Sequence, residues 1–232
     1  MKIIAEIGQN HNGDMGLARE MIYSAGENGA DAVKFQLYEA RKLFPKDNNP
    51  WFEYNCRAEL SRDDTFRLAE ECAAAGVEFL ASAFDTERVG WLEEIGVRRY
   101  KLASRSIRDK GLIDCLCRTR KPLLVSLGMW HEKDFPAFDT TAKVDFLYCV
   151  SKYPAPLTEV NLNSVDFSLY EGLSDHTSGM STAISALARG AKIIEKHFTL
   201  DKNMHGPDHA CSMTPAGLKA LNNFRQDLKE LL

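Results

Sequence analysis

The sequence predicts a (β/α)₈ barrel of the TIM type, a single domain over residues 1–232. Three observations carry this. Apolar strand-like runs alternate with helical patterns from one end of the chain to the other, as a parallel sheet with helical crossovers requires. Several runs are continuously apolar rather than alternating, the mark of strands covered on both faces. Gly29, Gly76, Gly96 and Gly190 each close a helical pattern just before a strand, where a helix C-cap belongs.

The strand candidates are residues 3–7, 32–37, 78–84, 99–103, 122–127, 144–149, 171–174 and 192–198. Helical patterns cover 15–28, 62–75, 87–95, 180–189 and 215–231, and eight strands each followed by a helix close a barrel. A doubly wound open sheet is the rival, but the first turn lacks its glycine-rich loop. Residues 42–55 form the longest irregular insertion; they follow strand two on the catalytic side and read as a candidate lid. No linker, low-complexity tract or charge block marks a second domain.

An apolar share of 44% and a charged share of 27% are ordinary for a soluble globular protein. The 29 basic and 33 acidic residues give a net charge of −4, which argues against a nucleic-acid or anionic-membrane surface. Met1 leads straight into Lys-Ile-Ile-Ala-Glu-Ile, no secretory leader, and no run has the length of a membrane span. The six cysteines (56, 72, 115, 117, 149, 211) lack paired metal-ligand spacing. They read as reduced, mostly buried thiols of a cytoplasmic protein.

A barrel places its chemistry at the carboxyl ends of the strands. Here that rim is polar. Strand one brings Glu6, strand two Lys34 and Gln36, and strand three Ser82 and Asp85. Strand four brings Lys101, Ser104 and Arg105, strand five Ser126, and strand six Ser151 and Tyr153. Strand seven brings Ser174, Asp175 and His176, and strand eight Glu195, Lys196 and His197, with Asp208 just beyond. A lysine inside an apolar strand is costly unless paired, and a single one is usually a structural ion pair. Lys34, Lys101 and Lys196 together, among serines at 82, 104, 126 and 174, point instead to a pocket for phosphate, or phosphate and carboxylate. A Schiff-base lysine is the rival chemistry.

His176 and His197 each close a strand. Neighbouring parallel strands lie about 5 Å apart, so the two imidazoles can share one divalent first-row ion completed by water or a carboxylate. His11, His205 and His209 read as loop structure or substrate contacts, and His131 as the start of a helix.

The ordered segments Ala-Glu6-Ile-Gly-Gln-Asn-His-Asn-Gly, Ala-Val-Lys34-Phe-Gln36, Leu-Gly-Met129, Tyr153-Pro-Ala-Pro, Leu-Ser174-Asp-His176-Thr, Glu195-Lys-His197-Phe-Thr and Gly-Pro-Asp208-His-Ala-Cys-Ser-Met span nearly the whole chain. Any one is weak; together they closely resemble the sialic acid synthase family, the N-acetylneuraminate and related nonulosonic acid synthases. The resemblance implies condensation of phosphoenolpyruvate with an N-acylated sugar such as N-acetylmannosamine, releasing phosphate. It implies that Lys34, Lys101, Ser104, Ser126, Ser151 and Ser174 hold phosphoenolpyruvate, with Ser82 and Gln36 nearby. His176 and His197 would bind manganese or magnesium, and Glu6, Tyr153 and Asp208 would contact the sugar or the reacting water, with Glu6, Lys34, Lys101 and Asp208 as the catalytic set.

The sequence departs from the family pattern in four ways. Members usually carry a C-terminal antifreeze-like domain whose arginine reaches a neighbouring subunit's sugar, and this sequence stops after its last helical pattern. A homodimer is expected, with that arginine supplied by a separate antifreeze-like protein or replaced by Arg105 and the 42–55 insertion. The family's Gly-Glu after the strand-four serine is Arg105-Ser106, its Ser-Thr-Pro-Phe is Ala81-Ser82-Ala83-Phe84, and the asparagine after strand six is Ser151. Sugar-side residues change more than the histidines or lysines. Two other readings stand beside this one. The first is a different barrel synthase or aldolase of 3-deoxy-2-keto sugar acids, with Arg105 serving a phosphorylated acceptor. The second is a catalytically silent barrel that binds a sugar or a partner.

Overall fold

The structure, a computed structural model, describes residues 1–231. Eight strands, β1 (Lys2–Gly8), β2 (Ala32–Leu37), β3 (Glu78–Ala83), β4 (Tyr100–Leu102), β5 (Leu123–Ser126), β6 (Val144–Cys149), β7 (Gly172–Asp175) and β8 (Ile193–His197), close into one parallel barrel in chain order. The helices are α1 (Met15–Glu27), α2 (Ala40–Leu43), α3 (Phe52–Arg57), α4 (Arg62–Ala74), α5 (Thr86–Ile95), α6 (Lys110–Arg118), α7 (Ser181–Ala188) and α8 (Pro215–Leu231). None is long and apolar enough to cross a membrane.

Strand parity sorts the side chains into two cores. Ile4, Ala32, Leu80, Leu124, Leu147 and Ile193 meet inside the barrel as a dry floor. Their neighbours Ile3, Ala5, Val33, Leu123, Val125 and Ile194 face outward into the larger core beneath the helices. Because successive side chains alternate, the residues two places beyond the floor also point inward. Those residues are Glu6, Lys34, Ser82, Ser126, Cys149 and Glu195, so one period-2 pattern yields both the plug and the charged layer above it.

Local chemistry starts the helices where the strands need them. Asp14 accepts from the Gly16 and Leu17 amides to cap α1, whose buried Ala18, Met21, Ile22 and Ala25 follow the helical period. Ser61, Asp85 and Asp109 cap α4, α5 and α6 in the same way. Gly172 answers a different demand: a Cβ there would collide with the Ile193 carbonyl oxygen, so β7 meets β8 at a distance no side chain allows.

Two sequence expectations need correction. The strands are not each followed by an α-helix. Residues 127–143 after β5 form no helix, and His131 lies exposed in an irregular turn rather than starting one. The β6–β7 connection holds two 3₁₀ turns, Leu157–Glu159 and Leu162–Ser164. Phe135 and Phe138 instead fold back on Phe146 (ring centroids 4.8 and 6.2 Å), and Tyr170 packs on Phe135 and Tyr148, so an aromatic cluster covers the wall that helices cover elsewhere. The 42–55 insertion is not wholly irregular either. It runs from the end of α2 into α3, and Tyr54 and Asn55 anchor it to Gln9.

Candidate active site

The charged layer above the floor forms a narrow inner cavity of about 50 Å³. Register brings its members together. Glu6 pairs with Lys34 across β1–β2, Ser82 with Lys101 across β3–β4, Cys149 with Ser174 across β6–β7, and Ser174 with Glu195 across β7–β8. Lys34 Nζ lies 3.0 Å from Glu6 Oε1 and 3.6 Å from Glu195 Oε2, and donates to Ser82 Oγ at 3.2 Å. Lys101 Nζ donates to Ser126 Oγ at 2.7 Å and lies 3.6 Å from Glu195 Oε1. Ser174 donates to Glu195 Oε1 at 2.8 Å, and Gln36 Nε2 to Glu6 Oε1 at 3.0 Å. Glu195 thus stands between the two lysines.

Burial acts on each of these groups, and the partners decide the outcome. Burial pushes the Glu195 carboxyl up, but Lys101 and Lys34 outweigh it and hold it down at about 2. The Glu6 carboxyl is raised above its ordinary value because burial and the Glu195 charge outweigh Lys34. Burial lowers Lys101, whereas Glu195 and Glu6 overcome burial to keep Lys34 raised. Glu195 is thus held ionised between the two lysines. Unpaired atoms remain: Glu6 Oε2 and Glu195 Oε2 have no hydrogen-bond partner among the described residues.

Above the inner cavity, His176 and His197 lie with ring centroids 5.7 Å apart, and the Tyr153 ring sits 4.2 Å from the first and 5.7 Å from the second. The Val150 carbonyl can only accept, so His176 donates Nδ1–H to it at 2.8 Å, while its Nε2 lies 3.5 Å from Ser174 Oγ. Burial lowers the His176 pKa, but Cys149, the Val150 carbonyl and Glu195 outweigh it and raise it. His197 Nδ1 is buried without a partner. Burial lowers the His197 pKa to about 4, which favours the neutral, metal-binding form of the ring. Among the described residues no three His, Cys, Asp or Glu side chains cluster as a metal cage.

A wider outer cavity of about 500 Å³ opens onto this one. Gln36, Phe84, Ala103, Ser104, Tyr153 and His197 line both, while Arg105, Ser151 and Asp208 line the outer cavity alone. The structure therefore brings together Glu6, Lys34, Gln36, Ser82, Lys101, Ser104, Ser126, Tyr153, Ser174, His176 and His197 in the inner cavity, and places Ser151 one level outward. All three lysines line the inner cavity, but the ammonium of Lys196 is already committed to partners outside the charged layer. Lys196 alternates away from Glu195 and His197, and its Nζ is buried against Asp175 Oδ2 at 2.9 Å and the Thr177 carbonyl at 2.5 Å. His209 is loop structure, bonded to Thr199 and Asn12, and His11 is buried beneath β1's loop with its Nδ1 accepting from the Gly13 amide.

The sequence reading gave no role to Glu195 or Cys149. Parity was the signal that could have found both, since each lies two residues beyond a floor residue. Phe44 comes from the 42–55 insertion and, like Phe84, forms wall of the outer cavity. Nothing in its local sequence announces that.

A closed barrel with buried cations and hydroxyls at its mouth is the kind of site that suits an anionic small molecule. The model described as the NeuB family matches residues 21–232. The chain is 36% identical to N,N'-diacetyllegionaminic acid synthase of Legionella pneumophila, over 99% of this chain and 72% of that protein. It is 32% identical to human N-acetylneuraminate-9-phosphate synthase, over 94% of this chain and 67% of that one. The crystal structure of N-acetylneuraminic acid synthetase from Leptospira borgpetersenii in complex with citrate matches with a TM-score of 0.90 at 30% identity, covering 99% of this chain and 84% of that one. The chain belongs to the NeuB family and is a condensing, transferase-type synthase.

Proposed function

We propose that the protein condenses phosphoenolpyruvate with an open-chain N-acylated amino sugar, such as N-acetylmannosamine, to give a nonulosonic acid and phosphate. The observation that carries this is the buried layer in which Lys34, Lys101 and serines 82, 104, 126 and 174 converge beneath two imidazoles. Phosphoenolpyruvate offers two anionic groups, and this layer offers two cations and four hydroxyls in a site shielded from water. Hydrogen bonds to charged groups there are each worth about 1.5–3 kcal/mol.

The donor set fits a divalent ion. His176 is oriented by the Val150 carbonyl through Nδ1, which leaves Nε2 with only a long contact to Ser174 Oγ, and His197 has a buried nitrogen with no protein partner. These two residues would hold manganese or magnesium, with water or substrate completing the shell. Such an ion, when bound, acts as a Lewis acid that makes an aldehyde carbon electrophilic.

The remaining work falls to the chain itself. Lys34 and Lys101 fix phosphoenolpyruvate so that its methylene carbon faces the outer cavity, where Tyr153 and Asp208 orient the sugar aldehyde. The methylene carbon attacks the aldehyde carbon, whose C=O π bond breaks as its oxygen takes up a proton to become a hydroxyl. A carbon–carbon bond forms, the C=C π pair of phosphoenolpyruvate is consumed, and positive charge develops at C2. Glu6 is placed to stabilise that centre or to take the proton of the water that adds there. The tetrahedral carbon then expels phosphate as its C=O forms.

Incubation with phosphoenolpyruvate, manganese and a panel of amino sugars in ¹⁸O-water tests the reading. The expected result is sugar-dependent phosphate release with the label in the keto acid, not in phosphate. No release with any sugar would sink it. In parallel, His176→Ala or His197→Ala should each abolish manganese binding measured by electron paramagnetic resonance. Retained binding in both variants would move the metal elsewhere.

A further inference from the structure

The outer cavity carries a cation that makes no ion pair among the described residues. Arg105 sits in the short 3₁₀ turn Ser104–Ser106 at the end of β4, and its guanidinium lies 5.2 Å from the Phe44 ring and 6.0 Å from the Phe84 ring. One of its nitrogens donates to the Leu43 carbonyl at 3.2 Å, and among the described residues it pairs with no carboxylate. A guanidinium has five N–H donors, so four remain open.

Most surface arginines swing in water and need no explanation. This one is clamped by two aromatic rings and a backbone carbonyl, and partial burial of the head group lowers its pKa. Its guanidinium lies beside both rings with most of its N–H donors open, and a planar fork of donors suits bidentate contact with phosphate or carboxylate. The inner cavity already holds the cations and hydroxyls for phosphoenolpyruvate, and Arg105 does not line it. It lines the outer cavity, whose other charged wall is Asp208. At about 500 Å³ that space accommodates a hexosamine bearing one further group.

We infer that Arg105 is the subsite for an anionic substituent, a phosphate monoester or a carboxylate, at the end of the acceptor sugar remote from its aldehyde. The inference rests on the outer cavity being the acceptor site. It makes Arg105 a specificity-determining residue: it selects charged over neutral sugars and does not touch the reacting atoms.

Calorimetry tests this without requiring turnover. Wild type and Arg105→Ala are titrated with N-acetylmannosamine, its 6-phosphate and N-acetylmannosaminuronic acid. A chelator withholds the divalent ion so that no condensation occurs, and saturating phosphoenolpyruvate keeps the inner anion site filled. Wild type should bind at least one charged sugar about tenfold or more tightly than the neutral one, the gain of one charge-assisted contact. Arg105→Ala should erase that gain, and Arg105→Lys should keep part of it. A larger gain for the 6-phosphate assigns a phosphate subsite, and a larger gain for the uronic acid a carboxylate subsite. Equal affinities for all three sugars in wild type, or a gain that survives in Arg105→Ala, would overturn the inference. Arg105 is exposed at the mouth and outside the core, so its replacement leaves the fold intact, which circular dichroism checks. Phosphate release from the neutral sugar without any binding gain would refute the subsite while sparing the condensation. A binding gain without phosphate release from any sugar would do the reverse.

Discussion

Lys101 has its positive charge shared between Ser126 and Glu195 inside the barrel, at a depth where water contributes little. Its replacement therefore has two separable effects. Lys101→Ala should weaken phosphoenolpyruvate binding by about tenfold to a hundredfold, the worth of one charge-assisted contact. It should also lower stability, because Glu195 loses one of the two cations that keep it ionised. Ser126→Ala removes a donor without stranding a charge, so it should weaken binding by less and leave the melting temperature nearly unchanged. Calorimetry and thermal denaturation on both variants separate the two effects. Unchanged affinity in Lys101→Ala would mean that phosphoenolpyruvate sits elsewhere. Lys196 shows the contrast: one residue from Glu195, it is spent entirely on Asp175 and Thr177.

At the scale of elements, β7 and β8 are held by an approach that only a glycine permits. Gly172→Ala places a methyl against the Ile193 carbonyl oxygen, and the strands that carry Ser174, His176, Glu195 and His197 must separate to admit it. Overpacking of this kind costs about 1–3 kcal/mol, and a chain of this size loses roughly 2–4 °C of melting temperature per kcal/mol. Gly90 is the control. It is exposed within α5, and a methyl added there would meet nothing within 4 Å, so Gly90→Ala should stabilise by up to about 1 kcal/mol. Differential scanning calorimetry should show the two substitutions moving in opposite directions. A Gly172→Ala protein that melts with wild type would show that the barrel yields there freely.

At the scale of the whole molecule, His11 links folding to pH. It is fully buried against Phe35, its Nε2 has no partner, and burial lowers its pKa to about 4. In the unfolded chain a histidine titrates near 6.5. The folded-state pKa is depressed, so the unfolded state takes up the proton first as pH falls. Stability contributed by neutral His11 is complete above about pH 6.5 and is lost as pH falls toward about 4, by roughly 3 kcal/mol in all. Urea midpoints measured from pH 7.5 to 5 should decline, and His11→Gln should flatten the decline. An identical slope in the variant would assign the acid sensitivity to other groups.

Fold and site were legible to different depths. The strand runs and their glycine punctuation are local patterns, and they determined the barrel, the rim position of Glu6, Lys34 and Ser82, and the placing of His176 and His197 on adjacent strand ends. Residues 127–143 were not legible in the same way, because what covers β6 is a set of aromatic rings brought from separate segments rather than a helix with its own period. The tertiary structure alone decided that Glu195 stands between Lys34 and Lys101, that Lys196 turns away to Asp175, and that Phe44 and Phe84 clamp Arg105. Periodicity says which face a side chain takes. Partners reached across a closed ring are set by register and closure, which no short stretch of sequence contains.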